Sequence, residues 1–267
     1  MITDYQIEML NVGDADAFVV YYITDRTRKH LVLIDAGRYE DGGKVLEHLN
    51  AHYQGIQVEL AIVTHPDDDH YGGFVYLLEQ IKSKNKDAAA IQRFWVNDPR
   101  KHIKVDDVEA GTEAADVVDT ADFEKTDRCL SKVLDDAPDD DSDHNRSSLI
   151  VLFEPEYKVR FLFTGDASVD SFEHMTSTHQ LKCKDLRWLK VPHHGSKHNL
   201  NSKWIKYFNP SIAYISTLKR GQYLNQCVVN ALKKNGSDVI STHNNPTFLY
   251  IVHNNCLKRS LKAVKYC

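Results

Sequence analysis

Hydrophobic and polar positions alternate with a period of two over residues 5–12, 18–23 and 30–34, with the turn Gly13-Asp14-Ala15-Asp16-Ala17 between the first two runs. This predicts an opening meander of three strands rather than a strand–helix–strand unit. The period then lengthens. Gly42-Gly43 opens a stretch in which Val45, Leu46 and Leu49 fall on one stripe, as in an amphipathic helix. Leu60-Ala61-Ile62-Val63 is a short apolar run that reads as a buried strand. A helix is predicted over 71–81, opening on two glycines, and a short strand over 93–97.

Regular patterning returns with apolar runs at 148–153 and 159–163, which predict a hairpin with its turn near 154–158. A helix after Asp166, a strand over 186–191, a helix over 201–208, a strand over 212–216 and a helix over 226–235 follow. Strands over 238–241 and 247–252 complete the regular part, leaving a short basic tail from 257. A meander plus hairpins in each half, with helices between them, predicts an α/β protein. Its expected form is a four-layer αββα sandwich, two sheets face to face with helices outside.

Residues 98–146 break the pattern. They are rich in Asp and Glu, poor in aromatics, and contain the run Asp135-Asp136-Ala137-Pro138-Asp139-Asp140-Asp141. We read them as an insertion or lid, with a helical piece over 122–134, on a single domain spanning 1–267. The acidic run reads as solvated surface.

With 42% hydrophobic and 27% charged residues, the 267-residue chain has the composition of an ordinary soluble globular protein. A net charge of -5 is not that of a protein that coats nucleic acid, although it leaves room for a local basic patch. The five cysteines (Cys129, Cys183, Cys227, Cys256 and Cys267) are scattered without a CxxC pair, as reduced cytoplasmic thiols would be. No run resembles a leader or reaches the length of a bilayer span, so a cytoplasmic protein without a membrane partner is the expectation.

The chemistry concentrates in Thr64-His65-Pro66-Asp67-Asp68-Asp69-His70-Tyr71-Gly72-Gly73, directly after the predicted strand at 60–63. His65, Asp67, Asp69 and His70 are metal-ligating side chains at the carboxyl end of a strand, where α/β proteins keep their sites. Packing them together without a cation would be costly through repulsion and desolvation. Other strand ends offer Asp166 after Leu162-Phe163-Thr164-Gly165, the pair His193-His194, and His144-Asn145. Taken alone, Asp166 could equally cap the following helix.

These motifs together resemble the metallo-β-lactamase fold superfamily, and within it the ComEC-like branch. His65-Pro66-Asp67-Asp68-Asp69-His70 is similar to the superfamily's HxHxDH, with Asp67 at its second histidine position, as in that branch's SHPDxDHxGG. Asn11 to Ala17 resembles its DVGQGDA, Leu33 to Gly37 its LIDxG, and Phe163 to Asp166 its LTGD. Leu189 to Ser196 resembles its LKVPHHGS, and Asn145-Arg146-Ser147-Ser148-Leu149 its NxxSL. The likeness runs in order from about residue 5 to residue 252. It departs at Asn11, and again at Gly221-Gln222-Tyr223-Leu224-Asn225-Gln226, which holds no histidine where the branch has Gly-His-Pro and for which His198 or His243 would stand in. That branch includes the soluble domain of the bacterial DNA-uptake channel; these 267 residues show no counterpart of the channel's membrane segments, so DNA uptake is not an expectation here.

The resemblance implies two divalent ions, Zn²⁺ or Mn²⁺, with the oxygen-rich Asp67 and Asn145 favouring Mn²⁺. One ion would take His65 and Asp67, with Asn145 or His144 nearby. The other would take Asp69, His70 and His194, and Asp166 would bridge the two. Asp69 would orient the attacking water and His193 would serve the leaving oxygen. Asp16 and Asp35 would fix ligand orientation, and Ser196, Lys197 and His243 would face substrate. The expected activity is a metal-dependent hydrolase, first a phosphodiesterase or nuclease on DNA or RNA. The alternatives are a hydrolase of a small ester, lactone or phosphorylcholine-like compound, or a partner protein with a weakened site. A protein partner from a neighbouring gene is a further expectation.

Overall fold

The computed structural model describes residues 2–96, 142–218, 221, 223–243, 248–253 and 256–259. Most of the expected insertion, with its helix over 122–134 and the acidic run 135–141, lies outside the described residues. Contacts divide the chain into two compact units, one of residues 1–97 and 241–267, the other of residues 98–240.

The first unit begins with the expected meander: β1 (Ile2–Met9), β2 (Ala17–Thr24) and β3 (Arg28–Ala36) are antiparallel, with Ile7 opposite Val20 and Val20 opposite Val32. Helix α1 (Gly42–His52) then leads to β4 (Leu60–Val63), and helix α2 (Asp68–Lys82) to β5 (Phe94–Val96); both strands join in parallel. Val45, Leu46 and Leu49 of α1 and Phe74 and Leu77 of α2 pack with Val19, Leu31, Leu33 and Ala61 of the sheet. Each such fully buried aliphatic or aromatic side chain is worth about 1.5–3 kcal/mol.

Helix α2 departs from the expectation in a way that matters for the site. It starts at Asp68, so Asp69 and His70 lie in its first turn and only His65 and Asp67 remain in the loop. The carbonyl of Asp67 accepts from the backbone N–H of His70 and of Tyr71, and an acidic first turn complements the helix dipole. Gly72 and Gly73 therefore sit inside the helix rather than opening it. Their role is close approach: a Cβ on Gly73 would stand 1.9 Å from the Ala36 carbonyl oxygen.

In the second unit, the turn α3 (Asp143–Arg146) precedes the predicted hairpin of β6 (Val151–Glu156) and β7 (Val159–Phe163). Two short helices, α4 (Val169–Glu173) and α5 (Ser177–Lys182), lead to β8 (Trp188–Lys190). Helix α6 (Ser202–Phe208), β9 (Ile212–Ile215), α7 (Gln226–Lys234) and β10 (Asp238–Ser241) follow. The strand order is β10-β9-β8-β7-β6. Trp204, Ile205 and Phe208 of α6 and Cys227, Val228 and Leu232 of α7 pack with Leu162, Leu189 and Ala213 of the strands.

The chain then returns to the first sheet. β11 (Phe248–His253) pairs with β1, and β12 (Cys256–Arg259) pairs with β11, a strand where a basic tail was expected. Each unit is a mixed sheet with helices on a face, the α/β pairing that the αββα expectation requires twice. Among the described residues no helix is long and apolar enough to cross a membrane.

Candidate metal centre

In the first unit the site is built around the buried carboxylate of Asp35 at the end of β3. Thr64, just past β4, donates its backbone N–H to Asp35 Oδ1 at 2.8 Å and its hydroxyl to Oδ2. His70 Nδ1 lies 3.0 Å from Asp35 Oδ2 and 3.6 Å from Asp16 Oδ2. Burial pushes the Asp35 carboxyl up, and the His70 imidazole beside it pulls the other way. With carboxylates as acceptors, Nδ1 of His70 carries the proton and Nε2 the lone pair, the tautomer a metal ligand needs. Asp35 adopts φ +53, a left-handed conformation that costs about 1–2 kcal/mol in a residue bearing a Cβ. Such strain is commonly held at functional positions.

His65 is buried, with Nε2 3.1 Å from Asp67 Oδ2 and its ring edge-to-face with His70 at 5.0 Å. Asp69 Oδ1 is 3.9 Å from His70 Nε2, and its Oδ2 is 4.0 Å from Arg38. The Asp69 carbonyl accepts the Asp16 N–H at 3.1 Å, and Gly37 N–H donates to the Asp16 carbonyl at 2.7 Å. Asp16 thus ties the first loop of the meander to α2.

In the second unit, Asp166 Oδ2 lies 3.8 Å from Nε2 of both His193 and His194. Both histidines have positive φ, +45 and +52, in a tight 3₁₀ turn after β8. His194 Nδ1 is 3.0 Å from the Ser216 carbonyl, so its Nε2 likewise carries the lone pair. His193 Nδ1 is 3.1 Å from Asn199 Oδ1, and Asn199 Nδ2 donates to the Asp166 carbonyl at 3.0 Å. The helix-cap reading of Asp166 fails: α4 is capped by Ser168, whose hydroxyl accepts from Ser171 N–H. Instead Asp166 N–H donates to Ser148 Oγ at 3.2 Å, which gives the serine of the Asn145-to-Leu149 motif its purpose.

The donor chemistry fits a divalent ion. Within the first unit, His65, Asp67, Asp69 and His70 fall together, backed by Asp16 and Asp35. Within the second, Asp166, His193 and His194 do. Asn145 is buried on α3, three residues before Ser148. Ser196 is buried, and its hydroxyl accepts the His198 N–H. Lys197 is half-buried, and His243 is exposed on a turn of the first unit.

Four residues were missed by sequence reading: Thr64, Asn199, Ser216 and Lys190, whose Nζ lies 3.3 Å from Asp166 Oδ1. Lys190 alone left a sequence signal, a charge inside an apolar strand run. Tyr223 also packs against His193 with the rings tilted and their centroids 4.1 Å apart, in the stretch where the ComEC-like branch has Gly-His-Pro.

Over 264 residues the chain is 27% identical to ComE operon protein 3 of Bacillus subtilis (strain 168), a match covering 92% of this chain and 33% of that protein. The chain therefore spans about a third of that relative's length. Its backbone resembles the metallo-beta-lactamase fold protein YhfI from Bacillus subtilis, with a TM-score of 0.48, 9% identity, and 92% of this chain and 99% of that one covered. A family model described as the metallo-beta-lactamase superfamily matches residues 13–217. The chain belongs to the metallo-beta-lactamase superfamily, a family of metal-dependent hydrolases.

Proposed function

We propose that this protein is a metal-dependent phosphodiesterase acting on nucleic acid, DNA or RNA. The observation that carries the reading is the hold on two imidazoles: His70 Nδ1 lies 3.0 Å from Asp35 Oδ2 and His194 Nδ1 3.0 Å from the Ser216 carbonyl, an arrangement that would leave each Nε2 to a cation. Within the first unit, His65, Asp67, Asp69 and His70 are the residues that would hold an ion; within the second, Asp166 and His194 would, with Asn145 as a further oxygen donor. When bound, divalent ions supply Lewis acidity toward a phosphoryl oxygen and a water that ionises near neutral pH. Asp69 would orient an attacking water. His193, steadied by Asn199, presents Nε2 to exchange a proton with the leaving oxygen. Likeness to the ComEC-like branch supports a nucleic-acid substrate.

The test is a substrate panel with protein purified without chelator and its metal measured by mass spectrometry. Supercoiled plasmid, single-stranded DNA, RNA and bis(p-nitrophenyl) phosphate are assayed with Mn²⁺ and with Zn²⁺, beside a lactone, a carboxylic ester and a phosphorylcholine compound. Chelator-sensitive cleavage of the phosphodiesters supports the proposal. Turnover confined to lactone, ester or phosphorylcholine substrates overturns it in favour of a small-molecule hydrolase. Metal-free protein inert on every substrate overturns it in favour of a binding role.

A further inference from the structure

Among the described residues, Lys190 is the only lysine or arginine that is buried, with no exposed surface. The strand dictates its depth. β8 reads Trp188-Leu189-Lys190, and Leu189 belongs to the core beneath α6 and α7, so Lys190 shares the opposite face with Trp188. Its Nζ donates to the Gly165 carbonyl at 2.9 Å and lies 3.3 Å from Asp166 Oδ1. An ammonium at this depth is strongly unfavourable unless a negative group compensates it. Here that group is Asp166.

The two oxygens of Asp166 are divided between two environments. Oδ1 faces Lys190, while Oδ2 lies 3.8 Å from Nε2 of both His193 and His194. We propose that Lys190 is a positioning residue for the metal centre: it is the resident counter-cation of Asp166. It balances the charge of Asp166 before an ion arrives, and its own charge then weakens binding of that ion. The inference rests on the metal-site reading above. A purely mechanical alternative is that Lys190 only fastens the turn, since the Thr164 hydroxyl donates to the Lys190 carbonyl at 2.9 Å.

Lys190→Met separates the two. It keeps the side chain's length and the backbone bond to Thr164, and the Asp166 backbone keeps its bonds to Ser148 and Asn199. Urea unfolding and calorimetric Mn²⁺ titration are compared in chelated wild type and variant. Metal-free Lys190→Met should unfold at lower urea, Mn²⁺ should raise its midpoint by more than it raises that of the wild type, and its Mn²⁺ Kd should tighten about tenfold. Wild type that binds Mn²⁺, beside a variant of unchanged or weaker Kd, overturns the role of Lys190 and leaves the metal reading standing. Wild type that binds neither Mn²⁺ nor Zn²⁺ overturns the metal reading and this inference with it. Should Lys190→Met fail to fold with or without Mn²⁺, the double variant Lys190→Met/Asp166→Asn decides. It should fold better than Asp166→Asn alone, in which the ammonium stays buried beside a neutral amide; failure to do so overturns the pairing.

Discussion

His70 donates its Nδ1 proton to Asp35 Oδ2 across 3.0 Å, and Thr64 holds the same carboxylate through both its N–H and its hydroxyl. One buried acid at the end of β3 thus orients an imidazole on α2 and anchors the residue after β4. Three chain segments are locked around the lone pair that His70 presents.

That relationship makes Asp35→Asn an informative change. Asparagine tolerates the left-handed backbone found at position 35, so the local fold should persist. The amide replaces one carboxylate oxygen with a donor, which weakens the hold on His70 Nδ1. Metal affinity measured by calorimetry should fall about 10- to 100-fold, with near-native circular dichroism. Unchanged affinity would show that the Asp35 contact does not orient a ligand.

Asp69→Ala addresses the other side of His70. Its carboxylate is directed at His70 and Arg38, whereas the bond that ties it to Asp16 uses the main-chain carbonyl, which alanine retains. We expect chelator-sensitive hydrolysis to drop at least about a hundredfold while the thermal midpoint moves little. Full turnover in the variant would remove Asp69 from the chemistry.

Much of this was legible in the chain. The opening meander, the hairpin of β6 and β7, and the run of candidate ligands from His65 to His70 follow from period-two alternation and from side-chain chemistry. Other features were not, for physical reasons. The start of α2 was read three residues late because Asp67, Asp68 and Asp69 look like a solvated turn; the helix dipole makes them a good first turn. β12 carries too little apolar signal to stand out, and its place is set by pairing with β11. Asn199 and Ser216 act on histidines through contacts that only the tertiary fold creates.

The glycine pair after His70 shows how tightly α2 is seated. Alanine favours a helix interior over glycine by about 1 kcal/mol, so propensity alone predicts a stabilised Gly73→Ala. The Cβ would stand 1.9 Å from the Ala36 carbonyl oxygen, a backbone atom that cannot step aside. We expect a loss of about 3 kcal/mol or more in urea unfolding, together with a loss of metal binding. Gly43→Ala is the control: its Cβ would meet nothing closer than the Tyr76 hydroxyl at 3.8 Å, so stability should hold or rise slightly. Equal effects at the two positions would refute the packing argument.

Cys183 tests the second unit's core. It is 3% exposed beneath the helices, and burial pushes its thiol up to about 11. At pH 8 the thiolate is therefore scarce and hard to reach. Mass-spectrometric mapping after brief iodoacetamide treatment should find Cys183 unmodified in native protein and fully labelled in urea. Rapid native labelling would mean that this core opens readily.

A pH-dependent element lies on the first sheet. Glu59 Oε2 is 2.6 Å from His30 Nδ1, and Oε1 is 3.0 Å from Arg93. The His30 hydrogen bond, with the nearby positive charges, holds the Glu59 carboxyl below its ordinary range despite some desolvation. A depressed carboxylate contributes stability above its unfolded-state pKa and loses it as pH falls through the lower folded value. Glu59→Gln should therefore cost about 0.5–1 kcal/mol near neutrality, the scale of a partly exposed pair. Urea midpoints of variant and wild type should converge as pH drops below the ordinary carboxylate range. A gap that widens steadily down to pH 3 would mean that the ion pair is not what Glu59 contributes.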